Sequence, residues 1–140
     1  MKLERLFEVK DSKLYKIGED AEYKPEVRAV KWSDVEGNPE EYNEEFLAKL
    51  RDELKALEEK GGFVLIEPLF DKSADAQQFT AAMKHTARRI KDCVSVIGFA
   101  IPEEISGESE RAFYIEEMSA KHKQYCFFSK KALGSDIAVY

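Results

Sequence analysis

Residues 63–70 read FVLIEPLF and residues 94–101 read VSVIGFAI. Both runs are apolar at nearly every position, which is typical of strands buried on both faces of a parallel sheet. Each run follows a segment with apolar residues at helical spacing, 46–57 before the first run and 79–90 before the second. Strands that alternate with helices pair in parallel through right-handed crossovers. The two runs therefore predict an α/β domain.

The predicted helices have apolar inner faces and recognisable ends. The first has the inner face Phe46, Leu47, Leu50, Leu54 and Leu57 and ends at Gly61-Gly62. The second is capped by Ser73 and has the inner face Phe79, Ala82, Met83, Thr86, Ala87 and Ile90. A third is predicted before Gly134, with one side formed by Ile115, Met118, His122, Tyr125, Cys126 and Leu133.

The two ends of the sequence complete the order of elements. Short alternating runs at 7–9 and 14–17 flank Asp11-Ser12, which predicts a β-hairpin. Residues 27–32 and 137–140 are further strand candidates. The predicted order is a hairpin followed by β-α-β-α-β-α-β. We expect residues 1–140 to form a single domain, in which 1–24 are the hairpin and its connection and 25–140 the repeated units.

Two architectures agree with this order. In half of a (β/α)8-type barrel, all helices cover the outside of the sheet, and the inward faces of the strands need another cover. A second copy of the chain would supply that cover, so this architecture predicts a homodimer. In a flavodoxin-like three-layer sandwich, helices cover both faces and a monomer suffices. The short last strand at 137–140 favours the half barrel, because its unpaired edge would be open to pairing with another chain.

Composition and charge exclude several classes of function. The 140 residues are 44% hydrophobic and 36% charged, and the formal net charge is −6. An acidic chain is a poor ligand for phosphate backbones, so we expect no nucleic-acid partner. No apolar run approaches the roughly 20 residues needed to cross a bilayer. The first residues contain no apolar leader segment. We therefore expect a cytoplasmic protein without a membrane partner.

The cysteines and histidines predict neither a disulfide nor a metal site. Cys93 and Cys126 are far apart and form no C-x-x-C pair, and His85 and His122 are also distant from each other. We expect two buried, reduced thiols and no cofactor. The nucleotide-binding patterns G-x-G-x-x-G and G-x-x-x-x-G-K-[ST] and the serine-hydrolase pattern G-x-S-x-G are missing. Gly98, inside a predicted strand, indicates close packing there.

Acidic residues follow each predicted parallel strand. The ends of three strands carry Trp32 with Asp34, Glu67 with Asp71, and Glu103 with Glu104. Ligands of parallel α/β folds bind at the carboxyl ends of the strands. Such carboxylates suit acid/base chemistry or a hard cation such as Mg²⁺. They are equally compatible with solvated loop acids in an acidic protein.

Three stretches resemble the clan A glycoside hydrolases, the cellulase/mannanase type of (β/α)8 barrel. Residues 28–32, RAVKW, are similar to the R-G-V-N-W of that family's first strand, and 63–67 to its V-I-L-D strand. Residues 96–104, VIGFAIPEE, resemble the family's V-I-G-F-E-L-x-N-E-P. The resemblance implies a barrel fold and places Glu104 at the position of the acid/base glutamate.

The chain departs from the family pattern in the same region. Glu103 stands where the family has an asparagine that holds the substrate's 2-hydroxyl, and Ile105 stands where it has a proline. The resemblance covers about half of a barrel, and the strand that carries the family's nucleophile has no counterpart in these residues. The expected function is therefore that of a degenerate glycoside-hydrolase-like half barrel that binds or processes carbohydrate.

In this interpretation Glu104 is the catalytic candidate, as a proton donor or a sugar-hydroxyl ligand. Trp32 offers a stacking platform, and the remaining strand-end acids assist in binding substrate: Asp34, Glu67, Asp71 and Glu103. Two alternatives stay open. One is a non-catalytic interaction or regulatory module with a flavodoxin-like fold, and the other is a metal-assisted hydrolase that uses the same carboxylates.

Overall fold

The computed structural model describes residues 5–38, 41–70, 75–105, 107–120 and 122–140. The elements, in chain order, are β1 (Phe7–Lys10), β2 (Lys13–Lys16), β3 (Glu26–Lys31), α1 (Trp32–Val35), β4 (Glu36–Asn38), β5 (Glu41–Tyr42), α2 (Glu44–Glu59), β6 (Val64–Leu69), α3 (Ala76–Ile90), β7 (Val96–Ala100), α4 (Glu108–Ser119), β8 (Cys126–Ser129) and β9 (Ala138–Val139). Within these ranges no helix is both long enough and apolar enough to cross a bilayer.

The strands form one main sheet and two small hairpins. The main sheet has five parallel strands in the order β3-β6-β7-β8-β9. The strands β1 and β2 pair antiparallel, as do β4 and β5. The prediction of an N-terminal hairpin followed by a parallel α/β sheet is confirmed.

The turn of the first hairpin requires unusual backbone angles. Asp11 and Ser12 have φ values of 51° and 62°. Two consecutive residues with positive φ give the turn that matches the right-handed twist of paired strands. Aspartate tolerates this conformation because its short polar side chain bonds to the nearby backbone. The hairpin is thus determined locally, as its sequence predicts.

The first two predicted helices form with the expected inner faces. Asn43 begins α2, since its side chain accepts a hydrogen bond from the Phe46 amide at 3.0 Å. Gly61, with φ of 72°, follows the end of that helix. Asp75 caps α3 by accepting from the Gln78 amide at 2.7 Å, whereas the predicted cap Ser73 lies outside the described residues.

Alternate residues of the main sheet pack into two separate hydrophobic cores, one on each face of the sheet. The helix-side core includes Val64, Ile66 and Phe99 of the sheet and all the buried core residues of the helices, among them Leu47, Leu50, Phe79, Met83, Tyr114 and Met118. The hairpin-side core contains the sheet residues Leu65, Ile97, Cys126, Phe128 and Ala138, together with Phe7 and Leu14 of the hairpin. Among the described residues, helices therefore cover one face of the sheet and the hairpin covers the other. This is the layout of a half barrel, since a flavodoxin-like sandwich would carry helices on both faces.

The prediction of one long third helix that reaches Leu133 is wrong. The helix α4 ends at Ser119, and the strand β8 begins at Cys126. The apolar positions continue at helical spacing past the end of α4, but Phe127 packs in the helix-side core while Cys126 and Phe128 pack in the hairpin-side core. A run of aromatic residues whose side chains pack alternately on the two faces of a sheet is more stable as a strand than as a helix. The sheet thus gains a strand that the sequence pattern conceals.

Candidate functional site

The carboxyl ends of β6, β7 and β8 surround a cavity of about 200 Å³. Its walls combine charged, hydroxyl-bearing and apolar side chains: Glu67, Pro68, Leu69, Phe70, Ala100, Ile101, Pro102, Glu103, Glu104, Lys130 and Tyr140. Parallel α/β folds place their ligands at this edge, so the cavity is the candidate functional site.

Three side chains from different strands meet in the cavity wall. The Tyr140 hydroxyl donates to Oε2 of Glu67 at 2.5 Å. Nζ of Lys130 lies 3.9 Å from the same oxygen and 3.9 Å from the centre of the Tyr140 ring. Ammonium groups at this distance from an aromatic face are attracted to it. The three residues form one connected group, which we call the Glu67–Lys130–Tyr140 cluster.

The backbone of the sheet determines this cluster. Glu67 lies on the hairpin side of β6, two positions after the buried Leu65. Tyr140 follows β9, and its amide donates to the carbonyl of Ser129 at 3.1 Å, which fixes it beside the end of β8. Lys130 is the next residue after β8.

The protonation of Tyr140 suits a hydrogen-bond donor. Burial raises the pKa of the Tyr140 phenol, and the hydrogen bond to Glu67 and the negative charges of Glu67 and Glu103 raise it further. The phenol therefore keeps its proton at neutral pH and presents an O–H to the carboxylate.

Glu103 and Glu104 lie at the tip of a turn on the rim of the cavity. The amide of Ile105 donates to the carbonyl of Pro102 at 3.0 Å, which closes the turn. The Ile105 side chain is buried and anchors the turn, whereas both glutamates are exposed. Of the predicted site residues, Glu67, Glu103 and Glu104 thus come together.

Trp32 and Asp34 are not among the residues that line this cavity. The chain enters α1 directly after β3, which turns the Trp32 ring into the helix-side core at 8% exposure. The indole N–H donates to Oε1 of the buried Glu36 at 3.0 Å. Trp32 therefore offers no open face for stacking, and Asp34 is exposed on α1. Asp71 lies outside the described residues.

The sequence did not identify Lys130 and Tyr140 as site residues. Lys130 follows β8, which the helical pattern concealed, so its place at a strand end was not visible. Tyr140 is the last residue of the strand predicted at 137–140. Its position at the end of that strand was the signal that could have identified it as a site residue.

Metal ligation and thiol chemistry gain no support from the part of the chain that the structure describes. It contains no group of three or more His, Cys, Asp or Glu side chains that could hold a metal ion. Cys93 and Cys126 are buried free thiols, as predicted. Burial raises the pKa of each thiol to about 11, which disfavours the reactive thiolate.

Comparison with known proteins adds information on the fold. No family model and no curated protein matches the sequence. A crystal structure of a GH5_18 from Bifidobacterium longum subsp. infantis is similar to this chain, with a TM-score of 0.57 and 9% sequence identity. The match covers 79% of this chain and 36% of that one, so this chain spans little more than a third of that protein. At such an identity the similarity concerns the fold alone. It gives weak, partial support to the resemblance to glycoside hydrolase barrels.

Proposed function

We propose that this domain binds a small carbohydrate in the cavity at the carboxyl ends of the strands. The observation that carries the proposal is the Glu67–Lys130–Tyr140 cluster, in which a carboxylate, an ammonium group and an aromatic ring from different strands share one cavity wall. The choice of ligand class rests on the resemblance of residues 28–32, 63–67 and 96–104 to the glycoside hydrolases, and the fold similarity to a GH5_18 protein agrees with that resemblance.

The hydrogen-bonding groups suit a ligand rich in hydroxyls. A hydroxyl both donates and accepts, so it can donate to a carboxylate and accept from the Lys130 ammonium at the same time. Oε2 of Glu67 already accepts from Tyr140, while Oε1 has no hydrogen-bond partner among the described residues. That oxygen is available to a ligand. The apolar parts of Leu69 and Pro102 offer contact to the C–H face of a sugar ring.

The charges favour a neutral ligand. Glu67, Glu103 and Glu104 are set against a single lysine, Lys130, in the described wall of the cavity. A phosphate or carboxylate ligand would meet net repulsion there. Mono- and disaccharides carry no charge and avoid this penalty.

The size of the cavity indicates a short ligand. Sites for drug-sized molecules enclose about 300–1,000 Å³. The cavity of about 200 Å³ lies below that range, which suits one sugar ring with its neighbours left in solvent.

We propose binding as the activity of this chain and assign Glu104 the role of a hydroxyl ligand on the rim. Glycoside hydrolysis requires two carboxyl groups, about 5–5.5 Å apart in retaining enzymes and about 6.5–9.5 Å apart in inverting ones. In the family that the sequence resembles, the nucleophile comes from a strand without a counterpart among these residues. Without a counterpart of that nucleophile, we assign Glu104 to recognition of the ligand and not to its cleavage.

The experiment is an NMR titration of the labelled protein with a panel of neutral monosaccharides and disaccharides. We expect shifts confined to the amides around the cavity, and a ligand that saturates. Replacing a charged hydrogen-bonding partner costs about 1.5–3 kcal/mol, so Lys130→Ala and Glu67→Gln are expected to weaken binding tenfold or more.

The matched control is Glu59→Gln, which removes an exposed carboxylate at the far end of α2. We expect this variant to bind like the parent protein. The proposal is refuted if no sugar produces saturable shifts at the cavity, or if the Lys130 variant retains full affinity.

A further inference from the structure

The two edges of the main sheet differ. At the β9 edge the first hairpin occupies the outer side, since the Val139 amide donates to the Ser12 carbonyl at 2.9 Å and the Ser12 amide donates to Ser135 at 3.0 Å. The β3 edge pairs with β6 on its inner side, and no strand of the described chain lies on its outer side. Free edges of sheets are templates for pairing with another chain.

The surroundings of β3 are also unusually exposed for a parallel sheet. Val27 is 46% exposed on the hairpin side, where the hairpin does not reach it. Beside the strand, a groove of about 360 Å³ runs between β3 and α2, and its walls combine the apolar Leu54 and Leu57 with the ion pair of Arg28 and Glu53. Parallel strands are normally covered on both faces, so this edge has the character of an interface.

We propose that β3 pairs antiparallel with β3 of a second copy of this chain, about a two-fold axis at Val27. A two-fold axis perpendicular to the sheet keeps the helices of both copies on one side. Residues that face each other across the axis must then point to the same face of the sheet. This restricts the centre of the pairing to a few positions of the strand.

Charge selects among these positions. An axis at Val27 places Glu26 opposite Arg28 of the second copy, and by symmetry this pair of opposite charges occurs twice. Within its own chain Arg28 is ion-paired with Glu53, with Nε 2.6 Å from Oε2, so each Glu26 would join an existing Arg28–Glu53 pair. An axis at Arg28 would place two arginines opposite each other, and an axis at Ala29 would leave the charged residues opposite apolar ones. Opposite charges across a pair of strands stabilise it and like charges destabilise it.

The backbone supports the same axis. The Val64 amide donates to the Ser95 carbonyl on the β7 side, so by alternation along the paired strands the carbonyl of Ala29 faces the free edge. The Arg28 guanidinium donates to that carbonyl. With the axis at Val27, Ala29 lies opposite Pro25 of the second copy. Proline has no N–H to donate, so the Ala29 carbonyl would lack a partner in the new ladder. Arg28 already supplies that donor.

The first test is the mass of the intact chain in solution, measured by light scattering and sedimentation from micromolar to millimolar concentrations. We expect a monomer–dimer equilibrium that Val27→Asp abolishes. The matched control is Val139→Asp at the opposite edge, where the valine is 39% exposed, and we expect it to dimerise like the parent. A monomeric mass throughout, or equal effects of the two variants, would overturn the proposal.

Two further variants test the register. Glu26→Arg places two guanidinium groups opposite each other and is expected to weaken the dimer at least tenfold, whereas Glu53→Gln, which removes the intrachain partner of Arg28, is expected to leave dimerisation unchanged. Equal dimer affinities of the parent and Glu26→Arg would overturn the axis at Val27.

Disulfide trapping tests the same axis without disturbing the charges. In this register, position 27 lies opposite position 27 of the second copy. Val27→Cys is therefore expected to form a disulfide-linked dimer under mild oxidation. Ala29→Cys lies roughly 13 Å from its copy in this register and is not expected to link. The native thiols of Cys93 and Cys126 are buried, so they add little background. Linkage through position 29 instead of position 27 would refute the proposed pairing.

Discussion

Gly98 is the position at which a single methyl group should do most damage to this sheet. It lies in β7 opposite Leu65 of β6 and Cys126 of β8. A Cβ atom at Gly98 would lie 1.7 Å from the backbone oxygen of Cys126 and 2.7 Å from its carbonyl carbon and amide nitrogen. The obstacle is the main chain of a neighbouring central strand, which cannot rotate away as a side chain can.

The cost of Gly98→Ala follows from the separation that the methyl group would force. Ordinary contact of a Cβ atom begins near 3.4 Å, so β7 and β8 would have to separate locally by roughly 1.7 Å. Such a displacement breaks hydrogen bonds, which need about 2.7–3.2 Å between nitrogen and oxygen. The ladder aligns Gly98, Phe99 and Ala100 with β8. At about 1 kcal/mol for each lost bond, we expect a loss of about 3 kcal/mol or more.

Chemical denaturation with urea measures this loss, and the melting temperature should fall by roughly 10 °C. The matched control is Gly134→Ala, where the nearest atom to the added Cβ is Oδ1 of the exposed Asp136 side chain at 3.0 Å. That variant should remain within about 0.5 kcal/mol of the parent. A Gly98→Ala protein as stable as the control would refute the close approach of β7 and β8.

Three further predictions concern the helix-side core, a helix cap and the thiols. Trp32→Phe removes a donor from the buried carboxylate of Glu36, and we expect urea denaturation to show a loss of about 1–3 kcal/mol. Asp75→Ala removes the N-cap of α3 and should cost about 1 kcal/mol in the same assay, while Asp75→Asn should retain most of the stability. Because the pKa of Cys93 and of Cys126 is raised from 9.0 to about 11, the thiolate fraction at pH 8 is about a hundredfold lower than in the unfolded chain. Labelling with a thiol reagent should accordingly be slow in the native protein and fast in denaturant, and rapid native labelling of both thiols would contradict their burial.

Local signals in the sequence predicted the elements that local chemistry determines. The turn at Asp11 and Ser12 and the inner faces of α2 and α3 depend on residues close together in the chain, and they form as expected. The strand β8 could not be predicted in this way. Cys126 and Phe128 belong to a strand because Phe7 and Leu14, more than a hundred positions away, supply the core that they face. Periodicity within a window contains no information about such distant partners.

The residues of the candidate site likewise include some that local sequence signals predicted and others that depend on distant parts of the chain. Glu67, Glu103 and Glu104 were visible as residues that follow apolar strands, and they do converge. Trp32 was expected at the same edge, but a helical turn after β3 buries its ring. Lys130 depends on the hidden strand β8. The sequence therefore predicted the edge of the sheet at which the site lies and part of its acidic lining. Tyr140 and Lys130 could be placed in the site only once the order of the strands was known.

The polar character of Glu67 is explained by the unequal cover of the sheet. It is the one charged residue of the otherwise apolar strand β6, and its side chain retains 23% exposure. The hairpin covers the hairpin side of the sheet at Leu65, and beyond that position the face opens into the cavity. A leucine at position 67 would be compatible with the strand and would not need Tyr140 and Lys130 as partners. It would also avoid the free-energy cost of partly desolvating a carboxylate. A residue that is unfavourable for packing, yet supplied with a donor and a counter-charge from other strands, is what the proposed binding role of Glu67 requires. The incomplete cover of this face thus produces the cavity and the conditions under which a carboxylate can serve in it.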